Sequence, residues 1–142
     1  MSAATTEALV LKLIAILNEH KFLDALSLAT PSATWWNSGV KEQNPLAGTR
    51  SSEERMKAIL AIPDVRDGIV IEVISIVVDE KGEKAAMEVL AKIKESDGSY
   101  QYRNEIFMAF EVKEGKIDSV REFMDYYPVE KYLKGKNAPA GE

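Results

Sequence analysis

The chain has 142 residues, enough for one domain with a sizeable core and with little room for a second. It is 46% hydrophobic with a net charge of −5, and both signs are spread along it, so no basic stripe marks a nucleic-acid binder. With no cysteine and a single histidine, His20, it lacks the side chains for disulfides, iron–sulfur clusters, zinc–thiolate sites and multi-histidine metal centres.

The N-terminal stretch MSAATTEALVLKLIAILNEHK has no basic lead, and Lys12 breaks its apolar run. It reads as neither a signal peptide nor a membrane span, and the expectation is a cytoplasmic protein with no membrane partner. Leu9, Val10, Leu13, Ile14 and Leu17 recur at helical spacing and predict a helix over 6–20, capped by Thr5 or Thr6. Phe22, Leu23, Leu26 and Leu28 suggest a second, shorter helix that TPS at 30–32 stops. ATWWNSG (33–39) reads as a short strand and turn, and 40–50 as a loop. SSEE (51–54) is a capping box: the Ser51 hydroxyl and the Glu54 carboxylate each satisfy a free backbone N–H. It opens a third helix through Met56, Ile59 and Leu60, closed by Pro63.

From Ile69 the helical period vanishes. Residues 69–79, 84–95, 100–113 and 116–127 read as four long strands joined by the turns EKGE, SDGS and KEGK. Residues 128–134 add a helical turn, and GKNAPAGE (135–142) reads as a flexible tail, leaving 1–134 as a single domain. Helices followed by an antiparallel meander predict an α+β domain with helices on one face of a curved sheet. In strand 69–79 both faces are apolar: Ile69, Ile71, Val73 and Val77 on one, Val70, Ile74, Ile76 and Val78 on the other. A sheet with helices on one face then needs cover on the other, so a homodimer through the outer sheet face is expected.

In strand 100–113, Tyr100, Tyr102, Ile106, Met108, Phe110 and Val112 share the richer face, with Asn104 among them. In strand 116–127, Val120, Glu122, Met124 and Tyr126 oppose Ser119, Arg121, Phe123 and Asp125, and periodicity alone does not choose between the two faces. YQYRNEIFMAFEVKEGKIDSVREFMD resembles the closing strands of the SnoaL-like group of the NTF2-like superfamily, and ATWWNSG resembles that group's early strand. The order of helices, LAGT loop, capped helix and long strands agrees over roughly residues 7–133.

The resemblance implies a cone-shaped α+β fold, with helices closing over a pocket. It implies a pocket-facing acid seven positions beyond Gly115, which is Glu122, and turns Val120, Met124, Asn104 and Ile106 inward with it. Asn37 matches a pocket amide of the limonene-type epoxide hydrolases or the catalytic carboxylate of the ketosteroid isomerases, with Trp35 as its inward neighbour. The epoxide hydrolases also carry an Arg-x-Asp pair on the second long strand; here those places hold Glu88 and Leu90, which argues against epoxide hydrolysis by the usual relay.

A carboxylate among Val120, Met124, Ile106 and Trp35 would lose hydration, which suits a general acid–base at neutral pH. Asn104 or Asn37 would then orient it or polarise a substrate carbonyl. The plainer alternative pairs Glu122 with Arg103 or Arg121 as a solvated ion pair. Glu88, if inward, would make a second carboxylate that splits acid from base; as a rim residue it would do neither. Of Trp35 and Trp36 one faces the pocket and the other the exterior. The functional expectation is a cyclase or isomerase of specialised metabolism that needs no cofactor or metal. Glu122, Asn104 and Asn37 would act on a small hydrophobic polyketide- or terpenoid-like molecule held by Trp35, Glu88, Leu90, Tyr102, Ile106, Met108, Phe110, Val120 and Met124. A non-catalytic ligand-binding or dimerisation module of the same fold is the alternative.

Overall fold

The structure is a computed structural model that describes residues 2–94, 97 and 99–137. Helix α1 (Ala3–Asn18) buries Val10, Leu13, Ile14 and Leu17, the stripe its sequence predicts. Its cap is Ser2, whose hydroxyl accepts the Thr5 N–H, rather than Thr5 or Thr6. Thr6 is buried instead and donates its hydroxyl to the Gly82 carbonyl at 2.5 Å. Phe22–Leu28 winds as a 3-10 segment. Its buried residues, Phe22, Ala25 and Leu28, repeat every third position, which lines them up on one edge of a three-residue turn.

Strand β1 (Ala29–Asn37) starts earlier than the tryptophan motif suggests, and β2 (Gly48–Ser51) forms within the segment that reads as a loop. Helix α2 (Ser52–Leu60) has both halves of the Ser51–Glu54 capping box. Pro63 does not close this helix. It opens a further one, α3 (Pro63–Gly68), at the first-turn position where a missing N–H costs nothing. The long strands are β3 (Ile69–Val78), β4 (Lys84–Lys94), β5 (Tyr100–Lys113) and β6 (Lys116–Met124). The β5–β6 hairpin turns on Glu114 and Gly115, both at positive φ (52° and 78°), the geometry that matches the strands' twist. Of the SDGS turn, only Asp97 and Ser99 are described.

Helix α4 (Tyr126–Asn137) extends well past the single turn expected. Residues 135–137 of the expected tail are helical, and 138–142 lie outside the described residues.

The six strands form one sheet in the order β2-β1-β6-β5-β4-β3, antiparallel except for β1 against β6. The β1–β6 register breaks between Ala29 and Thr34, around Pro31, which has no N–H for the ladder. β3 carries a second irregularity: Val73 pairs with Val89 but Ser75 with Glu88, so Ile74 is an extra residue. Such a bulge reverses the alternation beyond it. Ile76 and Val78 therefore turn inward with Ile69, Ile71 and Val73, while Val77 joins Val70 and Ile74 outside; the strict alternation had assigned these the other way. In β5 the inward row is Tyr102, Asn104, Ile106, Met108, Phe110 and Val112, as expected, while Tyr100 at its start is exposed. The core lies between this concave face and α1, α2 and the 3-10 segment.

Candidate active site

Side by side at the middle of the sheet, parallel β1 and β6 align Trp35 with Val120 and Asn37 with Glu122. Their common parity puts all four on the concave face, which settles the choice that periodicity in β6 left open. The Trp35 indole Nε1 donates to Glu122 Oε1 at 2.5 Å. Arg55, on α2, donates from Nη2 to the same oxygen at 3.3 Å, and its guanidinium carbon lies 5.8 Å from the centre of the Trp35 ring. The two charged side chains are only 14% (Arg55) and 7% (Glu122) exposed. This is a desolvated pair, whose separation would strand a charge, rather than a surface bridge of small worth. Oε2 of Glu122 has no hydrogen-bond partner in the protein, and it is not one of the enclosed polar atoms.

Beyond the pair opens a cavity of about 150 Å³, walled almost wholly by aliphatic and aromatic groups. Among the described residues, Glu122, Arg55, Tyr102 and Tyr132 are the ionisable side chains on its wall. Tyr102 accepts a hydrogen bond from Asn104 Nδ2 at 2.9 Å. Burial above all pushes the Tyr102 phenol up to about 12, opposed by the Asn104 bond and assisted by the Glu122 charge. At neutral pH it is a neutral hydroxyl. α4 covers one side of the cavity with Val129, Tyr132 and Leu133, and the Tyr132 hydroxyl donates to Asp64 of α3 at 3.0 Å.

Of the residues expected to form the site, Trp35, Tyr102, Ile106, Met108, Glu122 and Met124 meet on this wall. Val120 lies deeper, beside a void of about 10 Å³ that it shares with Trp35, and Phe110 is packed in the core. Neither asparagine lines the cavity. Asn104 uses Nδ2 to hold Tyr102 and the Asp125 carbonyl, both at 2.9 Å, and its Oδ1 has no partner. Asn37 is 0% exposed, and both atoms of its amide are unpartnered.

Glu88 and Leu90 are turned to the other face of the sheet. In β4 the inward residues are Met87, Val89, Ala91 and Ile93, and a one-position offset in register exchanges every side chain between faces. Glu88 is exposed opposite Phe107, and Leu90 lies between Glu72 and Glu105. The two-carboxylate arrangement is therefore not formed, and Glu122 is the one carboxylate on the cavity wall among the described residues. The alternative pairing also fails: Arg103 and Arg121 are exposed, and Arg121 lies over the outward rings of Trp36 (4.3 Å) and Phe123 (5.0 Å).

The residue the sequence reading missed is Arg55. It lies one turn before Ile59, so it shares that residue's inward stripe, and an arginine on the apolar side of a capped helix was the available signal. Among the described residues no cluster of three potential metal ligands forms, and no helix is long and apolar enough to cross a membrane.

No family model and no curated protein matches the sequence. Solved structures do match in shape. PrhC from Penicillium brasilianum NBRC 6234 superposes with a TM-score of 0.75 at 19% identity, over 99% of this chain and 95% of its own. An NTF2-like protein of unknown function from Cytophaga hutchinsonii ATCC 33406 gives 0.63 at 20% identity, over 88% and 94%. SalBIII, an epoxide hydrolase/cyclase-like enzyme with a role in pyran ring formation in the polyether salinomycin, gives 0.65 at 17% identity, over 87% and 92%. At these identities the likeness is one of fold: a curved six-stranded sheet closed by N-terminal helices, the NTF2-like fold.

Proposed function

We propose that the chain is a SnoaL-like cyclase or isomerase that needs no cofactor and moves a proton with Glu122 on a small, neutral, hydrophobic substrate. The observation that carries this reading is the split use of one carboxylate. Oε1 is anchored by Trp35 and Arg55, while Oε2 takes no bond from the protein at the wall of an apolar cavity. Anchoring fixes the base in direction, and an apolar wall offers few partners to water that would compete for it. In the proposed step Glu122 is the base: the Arg55 guanidinium and the Trp35 indole N–H hold its Oε1, and Oε2 is left to meet the substrate. It takes a proton from a carbon next to a carbonyl, leaving an enolate. Where a neighbouring C=C extends it to a dienolate, it regains the proton from Glu122 at the far carbon; alternatively it attacks a second carbonyl within the same molecule, closing a ring, and the alkoxide so formed takes the proton back from Glu122.

The cavity volume resembles one that accommodates benzene, so a compact ring or one end of a longer molecule is the fitting guest. The role of SalBIII in ring formation is in keeping with this class. Epoxide opening by an Arg-x-Asp relay has no support, because β4 brings only aliphatic groups, Val89, Ala91 and Ile93, to the cavity. A ligand-binding module is the second reading, favoured by the Arg55–Glu122 pair itself, which could serve only to neutralise a buried charge.

The test is deuterium uptake at the activated carbon of β-tetralone in heavy water, followed by NMR. The wild-type protein is expected to accelerate exchange, and Glu122→Gln to lose about 10²–10⁴ of that acceleration. Equal rates in the two proteins would remove Glu122 from the chemistry and leave the binding module.

The outer sheet face supports a homodimer as part of the same proposal. Val70, Ile74, Val77, Phe107 and Phe123 are exposed there. A surface of this kind is unusual for a monomer.

A further inference from the structure

Arg55 donates to one acceptor only, Glu122 Oε1, at 3.3 Å, which is long for a charge-assisted bond. A guanidinium carries five N–H groups. Nε of Arg55 is enclosed without any partner; Nη1 has none either and is not enclosed. Yet the side chain is 14% exposed and held against the Trp35 ring on the cavity wall. A part-buried cation with one pair and an enclosed, unpartnered Nε has donor capacity to spare for a guest in the cavity. The contact with Glu122 uses one N–H of Nη2, so pairing with Glu122 does not account for the spare donors. The two asparagines expected to polarise a carbonyl do not reach the cavity.

We propose that Arg55 is the catalytic oxyanion-binding residue, whose unenclosed Nη1 N–H groups hold the carbonyl oxygen of the substrate and carry its negative charge once Glu122 has taken the proton. The inference rests on the proton-transfer reading above and deepens it by naming the substrate class. The cavity wall offers a donor, Arg55, and an acceptor, Glu122 Oε2, from side chains already in contact. Their complement is a neutral molecule with a carbonyl oxygen and an acidic C–H on the adjacent carbon. In the step, the C–H bond breaks and its proton goes to Oε2. The electron pair forms the carbon–carbon double bond, and the carbonyl π pair moves onto oxygen, where Arg55 donates to it. Return of the proton from Glu122 to carbon restores both groups, with no net oxidation or reduction. A carboxylate substrate does not fit, because it would set two anions against one guanidinium.

An enolate can be imitated by a phenolate, so the probe is para-nitrophenol, whose ionised form is yellow. Four proteins are titrated with it: wild type, Glu122→Gln, Glu122→Gln/Arg55→Gln and Glu122→Gln/Arg55→Lys, each checked for fold by circular dichroism. Glu122→Gln frees Arg55 from its anionic neighbour and is expected to bind the phenolate more tightly than wild type does. Adding Arg55→Gln is expected to weaken phenolate binding about 10- to 100-fold, the worth of a hydrogen bond to a charged group. Arg55→Lys keeps the charge without the fork and is expected to fall between; it carries the comparison if the glutamine double variant does not fold. Equal phenolate affinity with and without Arg55, or no binding to either wild type or Glu122→Gln, overturns the proposal. If Glu122→Gln retains full deuterium exchange while Arg55 still governs phenolate binding, the base assignment fails and the oxyanion site stands.

Discussion

Tyr102 shows how the environment of one residue becomes measurable. Its phenol is held up to about 12, chiefly by burial, against 10.0 for an unperturbed tyrosine. Between those two values the unfolded chain has released its proton while the folded chain keeps it, so the unfolded state binds fewer protons and stability falls as pH rises. Below about 10 the contribution is fully present. The loss through this window is expected to be about 2–3 kcal/mol at most. Urea midpoints on either side of the window measure it, and Tyr102→Phe should flatten the dependence attributable to this group. At the same scale, Glu122 was legible only through the resemblance. Its own strand alternates too evenly to say which face is covered, and its partners come from residues 35 and 55, far away in the sequence.

Helix α2 links local sequence to the site. Its start is set by reciprocal bonds between Ser51 and Glu54, at 3.1 Å and 3.3 Å, and that start fixes the phase in which Arg55 meets Glu122. Ser51→Ala is expected to cost about 1 kcal/mol, read as a lower thermal midpoint, with little change in the sheet. This element was legible in four consecutive letters because a capping box is complete within one turn. β3 is the opposite case. Its length was plain, but the extra residue at Ile74 exchanges the faces of Ile76, Val77 and Val78. A bulge is a relation between two strands, and its signal is absent from either strand read alone.

For the whole molecule, the bulge adds Val77, 67% exposed, to Val70 and Ile74 on the outer face, which also carries the aromatic cluster of Trp36, Phe107 and Phe123 on β1, β5 and β6. Light scattering at micromolar concentration is expected to give the mass of a dimer. Val77→Lys should shift it toward the monomer without changing the cavity on the opposite face. A monomeric wild-type protein would defeat the dimer and leave the cavity argument intact.

Periodicity, turns and the capping box were enough by themselves to determine the α+β class, the long strands, the inward row of β5 and the absence of thiol and multi-histidine chemistry, because each depends on neighbours a few residues apart or on composition. Only the tertiary structure decided that Arg55 meets the inward Glu122, that Glu88 and Leu90 face out, and that Asn37 and Asn104 stand behind the cavity wall. Those outcomes depend on strand register and on how a helix crosses a sheet. Both are set by contacts between distant segments, so the same local pattern is compatible with either answer until the chain has packed.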